Sequence, residues 1–211
     1  MSVLDKLATA LNRRDEVPNQ ELAKEIVRTN DRRAVKELVE NLAHQDKKIQ
    51  SDCIKVLYEI GEREPALIAP YYREFGKLLD RKNNRLVWGA MTALDSITTQ
   101  EPKGVYGLLA KVLDVADSGS VITRDHAVGI LVKLGTLKQY ADECMPLLVE
   151  QLLTCPNNQF PMYAEMSLAL GNDKNKAALQ KVMTRRLDGL EKESQKKRVA
   201  KVLKGLTKKT A

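Results

Sequence analysis

Apolar and polar positions along this chain recur at an interval of 37 residues. The clearest copy of the pattern runs from Asp46 to Gly61, and three further copies follow it. Within each copy the apolar positions are spaced by three and four residues, so they share one face of a helix. Each copy opens with a residue type that caps helix N-termini. The aligned columns are the caps Asp46, Asn83, Ser120 and Asn157, the small residues Cys53, Ala90, Ala127 and Ala164, and the leucines Leu57, Leu94, Leu131 and Leu168.

A second set of apolar positions precedes each copy and predicts a first helix in every unit. A unit of two helices cannot bury its own apolar face, so it is stable only when neighbouring units stack on it. The pattern therefore predicts an all-α protein made of stacked helix pairs. The first-helix columns are Leu38, Phe75, Val112 and Val149, followed by Leu42, Leu79, Ala116 and Leu153.

Four segments carry a resemblance to a known family: IQSDCIKVLYEIG, LVWGAMTALDSIT, TRDHAVGILVKLG and, more weakly, FPMYAEMSLALGN. They are similar to the second helices of HEAT (HEAT/armadillo-like) repeats over about residues 31–171. The resemblance implies a right-handed α-solenoid of about five to six antiparallel helix pairs. It is specific for fold and not for activity, because these repeats serve many unrelated functions.

The ends of the chain lack the regular columns. Terminal repeats of a solenoid are atypical because one of their faces meets water. We therefore expect one domain over residues 1–211, with N-terminal capping helices in 1–30, four repeats in 31–171 and a basic C-terminal capping pair in 172–211. Within the first segment, residues 3–14 predict a short helix, and Asn19 is expected to cap a second one.

Composition agrees with a globular protein whose core is mostly aliphatic. Hydrophobic residues make up 43% of the chain and charged residues 30%, while aromatic residues reach only 4%. The first residues do not resemble a secretory signal, and no stretch approaches the roughly 20 apolar residues that span a bilayer. The three cysteines lack paired spacing, which favours a reducing compartment. We expect a soluble, cytoplasmic protein.

Positive charge is concentrated at the C-terminal end. From Asn172 to Ala211 there are 13 Lys and Arg residues and four acidic residues, a net charge of +9, whereas the rest of the chain carries −2. Such a face either keeps an open end soluble or docks a nucleic acid or another polyanion. The candidate polyanion-binding residues are Arg185, Arg186, Lys197 and Arg198.

The second helices are expected to line the concave face of a solenoid, so their positions outside the core columns are candidates for partner contact. Large amphipathic side chains such as Trp and Tyr favour contact surfaces, although they also pack between neighbouring repeats. The leading hypothesis is a non-enzymatic scaffold or adaptor that binds another macromolecule through this concave surface, with a protein as the favoured class of partner. The candidate partner-binding residues are Trp88, Asp95, Arg124, Asp125, His126 and Tyr163.

Catalytic and metal-binding patterns are not found in the sequence. The only histidines, His44 and His126, have no Ser or Cys in a recognisable nucleophile context. No HExxH, paired CxxC, calcium loop or phosphate loop occurs, so no cofactor is expected. A remote third hypothesis is an alkylpurine DNA glycosylase, another class of helical-repeat protein, which the chain resembles only in its repeats, basic balance and the pair Trp88 and Asp95.

Overall fold

The computed structural model describes residues 2–208; Met1 and residues 209–211, parts of the predicted end segments, lie outside them. Within the described range there are α-helices and short 3-10 helices and no strand. The chain divides into two compact units, one up to His126 and one from Ala127. The 3-10 helices are Val3–Lys6, Asn41–Ala43, Pro65–Leu67, Ala69–Tyr71 and Leu168–Leu170. The α-helices are α1 (Val17–Thr29), α2 (Arg32–Glu40), α3 (Lys47–Arg63), α4 (Tyr72–Leu78), α5 (Asn84–Ile97), α6 (Pro102–Tyr106), α7 (Leu109–Ser118), α8 (Val121–Gly135), α9 (Ala141–Thr154), α10 (Phe160–Ser167), α11 (Lys176–Leu187) and α12 (Glu193–Lys208).

Consecutive helices pack in pairs within each unit. In the N-terminal unit α2 packs on α3 and α4 packs on α5, and α3 also lies between α1 and α5. In the C-terminal unit α9 pairs with α10 and α11 pairs with α12. These two pairs also contact each other, through α9 with α11 and through α10 with α12. This is the packing that amphipathic helix pairs require to cover their apolar faces.

The predicted helix caps hold at the first two positions. Asp46 and Asn83 each accept a hydrogen bond from a backbone N–H in the first turn of the following helix, at 2.8 and 3.1 Å. Ser120 directly precedes α8, but its buried hydroxyl has no hydrogen-bond partner among the described residues. The prediction for Asn157 is wrong: α10 begins three residues later, at Phe160, so Asn157 cannot cap it.

The small-residue and leucine columns form the core of the repeats. All four small residues are fully buried, and so are Leu57, Leu94 and Leu131. Leu168 is only half-buried, because α10 ends at Ser167 and the chain continues as a 3-10 helix that turns Leu170 inward. The regular pattern therefore ends in the fourth unit, one turn earlier than predicted.

The predicted first-helix columns are displaced by one residue in α9. Val149 and Leu153 are half-buried, whereas Leu148 and Leu152 are fully buried. A shift of one residue rotates the buried face of a helix by about 100°. The buried positions of α9 therefore come one residue earlier than the 37-residue interval predicts. The columns hold in the earlier first helices, where Phe75 and its equivalents are buried.

The N-terminal segment departs from the predicted helix over 3–14. A 3-10 helix covers only Val3–Lys6, and turns connect it to α1 at Val17. Asn19, expected to cap the second helix, instead lies inside α1 and is buried. The fold of this segment therefore depends on side-chain hydrogen bonds and not on a continuous helix.

Those hydrogen bonds form one buried network on α3. The Asn19 side chain accepts from the backbone N–H of Ala8 at 2.9 Å and donates to Asp52 at 2.9 Å. The other carboxylate oxygen of Asp52 accepts from the backbone N–H of Thr9 at 2.8 Å. Side chains thus pair the backbone groups that a helix would otherwise have paired.

One close approach between α3 and α5 occurs at Gly89. A Cβ atom built at this position would lie 2.4 Å from Cγ1 of Ile54, which is far inside van der Waals contact. Only glycine fits between the two helices without moving Ile54. This residue lies one position before Ala90 of the small-residue column, so the requirement for a small side chain extends over two neighbouring positions.

We expect Gly89→Ala to destabilise the protein although Ala is the better helix former. The overpacking should cost about 2 kcal/mol and exceed the gain of about 1 kcal/mol in helix propensity. Gly107→Ala is the matched control, because its nearest contact would be an ordinary 3.4 Å. Urea unfolding measures both; a Gly89→Ala protein as stable as the wild type would contradict the close packing.

Candidate functional site

A groove in the N-terminal unit lies between α3, α5 and the start of α8. Its volume is about 330 Å³. Trp88 and Tyr58, both half-buried, line it, and Ile122 is 41% exposed at its edge. Gly89 also lines the groove, so the close contact of α3 and α5 forms its base.

A buried lysine holds one side of this groove. The Lys55 ammonium lies 2.7 Å from Glu59 and 3.0 Å from Glu16, and it sits 4.7 Å from the centre of the Tyr58 ring. Glu16, which precedes α1, also pairs with Arg85 at the start of α5. One carboxylate therefore links the N-terminal segment to α3 and α5.

The charges of this network stabilise one another. Burial alone would lower the pKa of Lys55, but hydrogen bonds to Glu59, Tyr58 and Glu16 outweigh it and raise the pKa above its ordinary value. Burial would likewise raise the pKa of Glu59, but hydrogen bonds from Lys55 and Arg63 lower it overall. Burial raises the pKa of Tyr58. Lys55 is therefore a fixed cation and Glu59 a fixed anion near neutral pH.

Thr92, His126 and Asp95 form a chain of contacts beside the groove. Oγ1 of Thr92 lies 2.9 Å from Nε2 of His126, and Nδ1 of His126 lies 3.0 Å from the Asp95 carboxylate. The order hydroxyl, imidazole, carboxylate is that of a hydrolytic triad. However, Thr92 lies inside α5, where backbone N–H groups are engaged in helical hydrogen bonds, so they cannot form an oxyanion hole. The chain ties α5 to the start of α8.

The structure places the candidate partner-binding residues in different environments. Trp88 lines the groove, and Asp95 and His126 meet in the contact chain beside it. Arg124 and Asp125 are half-buried on α8. Tyr163 is fully buried in the C-terminal unit, so its side chain is part of a core and we do not assign it to a binding surface.

In the C-terminal unit Arg186 closes the end of α9. Its guanidinium donates to the carbonyl oxygens of Leu152, Leu153 and Cys155 at 2.7–2.9 Å and lies over the Phe160 ring. The last carbonyl groups of a helix have no partners within it, so a cation there satisfies them and complements the helix dipole. Arg186 is thus a helix cap.

The other candidate polyanion-binding residues lie at the surface. Arg198 makes a bidentate pair with Glu165, at 2.6 and 2.8 Å. This pair lowers the pKa of Glu165 and raises that of Arg198. Arg185 and Lys197 are exposed. Two of the four candidate residues are therefore occupied by contacts within the unit.

The cysteine thiols are buried, and burial keeps those of Cys53 and Cys144 protonated near neutral pH. Burial raises the pKa of Cys53 to about 12 and that of Cys144 to about 11. Cys155 is also buried. Because the thiolate is the reactive form, Cys53 and Cys144 act as small core residues.

Comparison with known proteins identifies the fold. No protein-family model and no curated protein sequence matches the chain. Among solved structures, an engineered protein matches with 17% identity and a TM-score of 0.66 over 98% of this chain and 97% of its own. A designed armadillo repeat protein in complex with the peptide (KR)4 matches with 15% identity and a TM-score of 0.69, covering 89% and 86% of the two chains. An archaeal HEAT-like repeats protein from Thermococcus onnurineus NA1 matches with 15% identity and a TM-score of 0.53, covering 93% and 98%.

This chain has a HEAT/armadillo-like fold. The predicted all-α solenoid class is thereby confirmed, since two of these neighbours are an armadillo repeat protein and a HEAT-like repeats protein. Across residues 2–208, none of the helices combines the length and the apolar character needed to cross a bilayer.

Two residues of the groove that the sequence analysis did not select, Lys55 and Tyr58, could have been found from the HEAT/armadillo-like periodicity. Lys55 and Tyr58 occupy second-helix positions outside the core columns, in the same rows as Thr92 and Asp95. Glu16 has no such signal, because it lies before the first regular repeat and reaches Lys55 only through the tertiary fold. Arg85 and Ile122 lie at the starts of second helices, where their exposed side chains gave no apolar period.

We expect Arg186→Met to destabilise the C-terminal unit by about 2 kcal/mol, because buried carbonyl oxygens at the end of α9 lose their donors. Arg185→Met is the matched control, since the neighbouring side chain is exposed and its loss should cost less than about 0.5 kcal/mol. Thermal unfolding of both variants measures the difference. Equal losses would show that Arg186 is not a cap.

We expect Glu59→Gln to lower stability by about 2 kcal/mol near pH 7, because the buried Lys55 loses one of its two anionic partners and keeps only Glu16. The folded pKa of Glu59 lies below its unfolded value of about 4.3. Its stabilisation is therefore present above that pH and is lost as the pH falls through the folded pKa.

The stability difference between the wild type and Glu59→Gln should thus shrink as the pH falls from 5 to 3. Urea titrations over this range measure it. Glu62→Gln, an exposed carboxylate on the same helix, serves as control and should show little difference at any pH. A wild-type advantage over Glu59→Gln that stays constant with pH would refute the assigned ion pair.

Proposed function

We propose that this chain is a non-enzymatic scaffold that binds another protein through the groove of α3, α5 and the start of α8. The observation that carries the proposal is the groove itself, in which Trp88 and Tyr58 stand partly open to solvent on a rigid helical base. Asp95 and His126, held in their contact chain, border the same face.

The side chains of the groove have the character of a protein contact site. Trp and Tyr dominate binding energy at interfaces, where they fill well-packed pockets. Ile122, which is 41% exposed, adds apolar surface to the groove. Lys55 is held by two carboxylates, so the groove wall is ordered before any partner arrives and a partner meets a preformed surface.

The fold supports this proposal in general terms. One structural neighbour is a designed armadillo repeat protein in complex with a peptide. A scaffold of this type can therefore present a surface that accepts a peptide. The inference for this chain rests on its own groove, because similarity at 15% identity extends to the fold alone.

The C-terminal basic face is the second candidate site, for nucleic acid or another polyanion. Arg185 and Lys197 are exposed and can contact phosphate groups. Arg186 caps α9 and Arg198 is paired with Glu165, which reduces the charge available to a ligand. We therefore rank this face below the groove.

We also propose that the chain forms one repeat domain over residues 1–211 in a cytoplasmic protein. The 37-residue period of the small-residue column runs from Cys53 to Ala164, and all four members are buried. The three cysteines, which are buried and lack paired spacing in the sequence, fit a reducing compartment.

We expect Trp88→Ala to abolish most of the recovery of a bound protein partner. Truncation of a central aromatic anchor costs 2 kcal/mol or more, which is about 30-fold in affinity. The measurement is quantitative affinity capture from cells that express the tagged chain, with identical handling of each variant.

Leu11→Ala is the control, because Leu11 is a large exposed apolar side chain, 52% exposed, that does not line the groove. Partners recovered with wild type and with Leu11→Ala, but lost with Trp88→Ala, would support the groove. Recovery that is the same for all three proteins would refute it.

A further inference from the structure

We propose that the segment bound in the groove is acidic: a peptide in which an apolar anchor, seated between Trp88 and Ile122, is followed by carboxylate side chains. This inference rests on the proposed function and names the chemistry of its partner. The observation behind it is a second cavity that continues the groove and has a polar, basic lining instead of an aromatic and apolar one.

The second cavity adjoins the groove at the start of α3. Its volume is about 510 Å³, and it shares Glu16, Ser51 and Arg85 with the groove. A ligand that crosses these shared residues passes from an aromatic and apolar lining into a polar one. The two cavities therefore form a continuous path along the surface of the N-terminal unit.

Positive charge exceeds negative charge in this second cavity. Its acidic residues are already engaged: Asp15 pairs with Arg13, Glu16 with Lys55 and Arg85, and Asp52 accepts hydrogen bonds from Thr9 and Asn19. The lining has five basic and three acidic residues. Three of its cations are exposed and form no salt bridge within residues 2–208: Arg14, Lys47 and Lys48.

The position of these lysines adds to the positive potential. Lys47 and Lys48 are the first two residues of α3, where the helix dipole is positive and a cation is unfavourable. Arg85 stands in the first turn of α5 in the same way. Neither helix has an acidic residue in its first turn, and the one carboxylate at the start of α3 is its N-cap, Asp46. The clustered cations oppose helix stability, whereas an anionic partner would be attracted by lysines and dipoles together.

The lining favours an acidic peptide over a nucleic acid. A phosphate backbone carries a charge at every nucleotide and binds along an uninterrupted basic track. Here Glu16 and Asp15 lie within the path, and the half of the groove next to Trp88 is apolar. A peptide can place one apolar side chain in that half and its carboxylates beside Lys47, Lys48 and Arg14.

The test uses a fluorescein-labelled peptide with a central Leu-Phe pair flanked on each side by four Asp or Glu residues. Comparison probes carry Lys in place of the acidic residues, or an Ala-Ala centre, and a single-stranded DNA of equal charge is included. Fluorescence anisotropy reports binding at about 50 and 200 mM salt. Because Trp88 is the only tryptophan in the chain, its emission independently reports occupation of the groove.

Two charge reversals of equal size separate the two basic regions. Lys47→Glu with Lys48→Glu changes the second cavity, whereas Arg185→Glu with Lys197→Glu changes exposed residues of the C-terminal unit. The first pair places carboxylates at a helix N-terminus, where they are stabilising. A loss of binding in that variant is therefore not explained by unfolding, and its thermal unfolding should confirm this.

We expect the acidic Leu-Phe peptide to bind and to shift Trp88 emission. The Lys47→Glu, Lys48→Glu variant and the Ala-Ala probe should each weaken binding at least about 10-fold. The C-terminal reversal should change it less than about 2-fold. The Lys-containing probe should not bind.

Equal affinity for the acidic and the Lys-containing probes would overturn the inference. So would DNA binding that exceeds peptide binding, or peptide binding lost only in the C-terminal reversal. If no acidic probe binds while Trp88→Ala still loses its captured partner, this inference fails and the proposed function stands. If Trp88→Ala loses nothing, the proposed function itself fails.

Discussion

The fit of α5 against α3 at Gly89 determines the rest of the N-terminal unit. With Ile54 filling the space where a side chain would otherwise stand, the two helices approach until the small residues Cys53 and Ala90 are fully enclosed. Trp88, the neighbour of Gly89, then points along the opening between the helices instead of into the contact. The groove thus lies beside a close contact between α3 and α5.

A buried ion network gives this edge its chemical character. Lys55 stays charged although it is almost completely buried, because Glu59 and Glu16 surround its ammonium group. Isolated buried charges are costly, and such a network is weak evidence for stability by itself. Its effect here is geometric: the carboxylate of Glu16 bridges Lys55 and Arg85 and so fixes where the apolar part of the path ends and the basic part begins.

The repeat architecture could be predicted from the sequence because burial in paired helices is periodic. The same period led to a wrong prediction for Tyr163, which was assigned to the contact surface but is buried. Tyr163 shares its row with Asp52, Gly89 and His126, and three members of that row are buried, so the row faces neighbouring helices. The row of Trp88 is half-buried in every repeat. Gly89, which belongs to the same row as Tyr163, indicates in the sequence that this side of the second helices packs closely against its neighbours.

Contacts without a period could not be predicted in the same way. Arg186 and Asn157 were assigned to a basic face and to a helix cap, but they bond to each other around the end of α9. Glu16 and Asn19 act on α3 from a segment that has no helical pattern. These interactions join residues about 30 or more positions apart through single side chains, which leave no trace in hydrophobic spacing.

The hydrogen bonds between the N-terminal segment and α3 limit how the chain can be shortened. Removing the residues before α1 would withdraw the Thr9 backbone N–H that donates to Asp52 and Glu16, one of the two carboxylates that surround Lys55. A fragment designed to contain only the regular repeats would then expose a buried lysine and leave an aspartate without its donors. The opening residues, through Glu16, therefore belong to the smallest piece of this protein that can keep the groove intact.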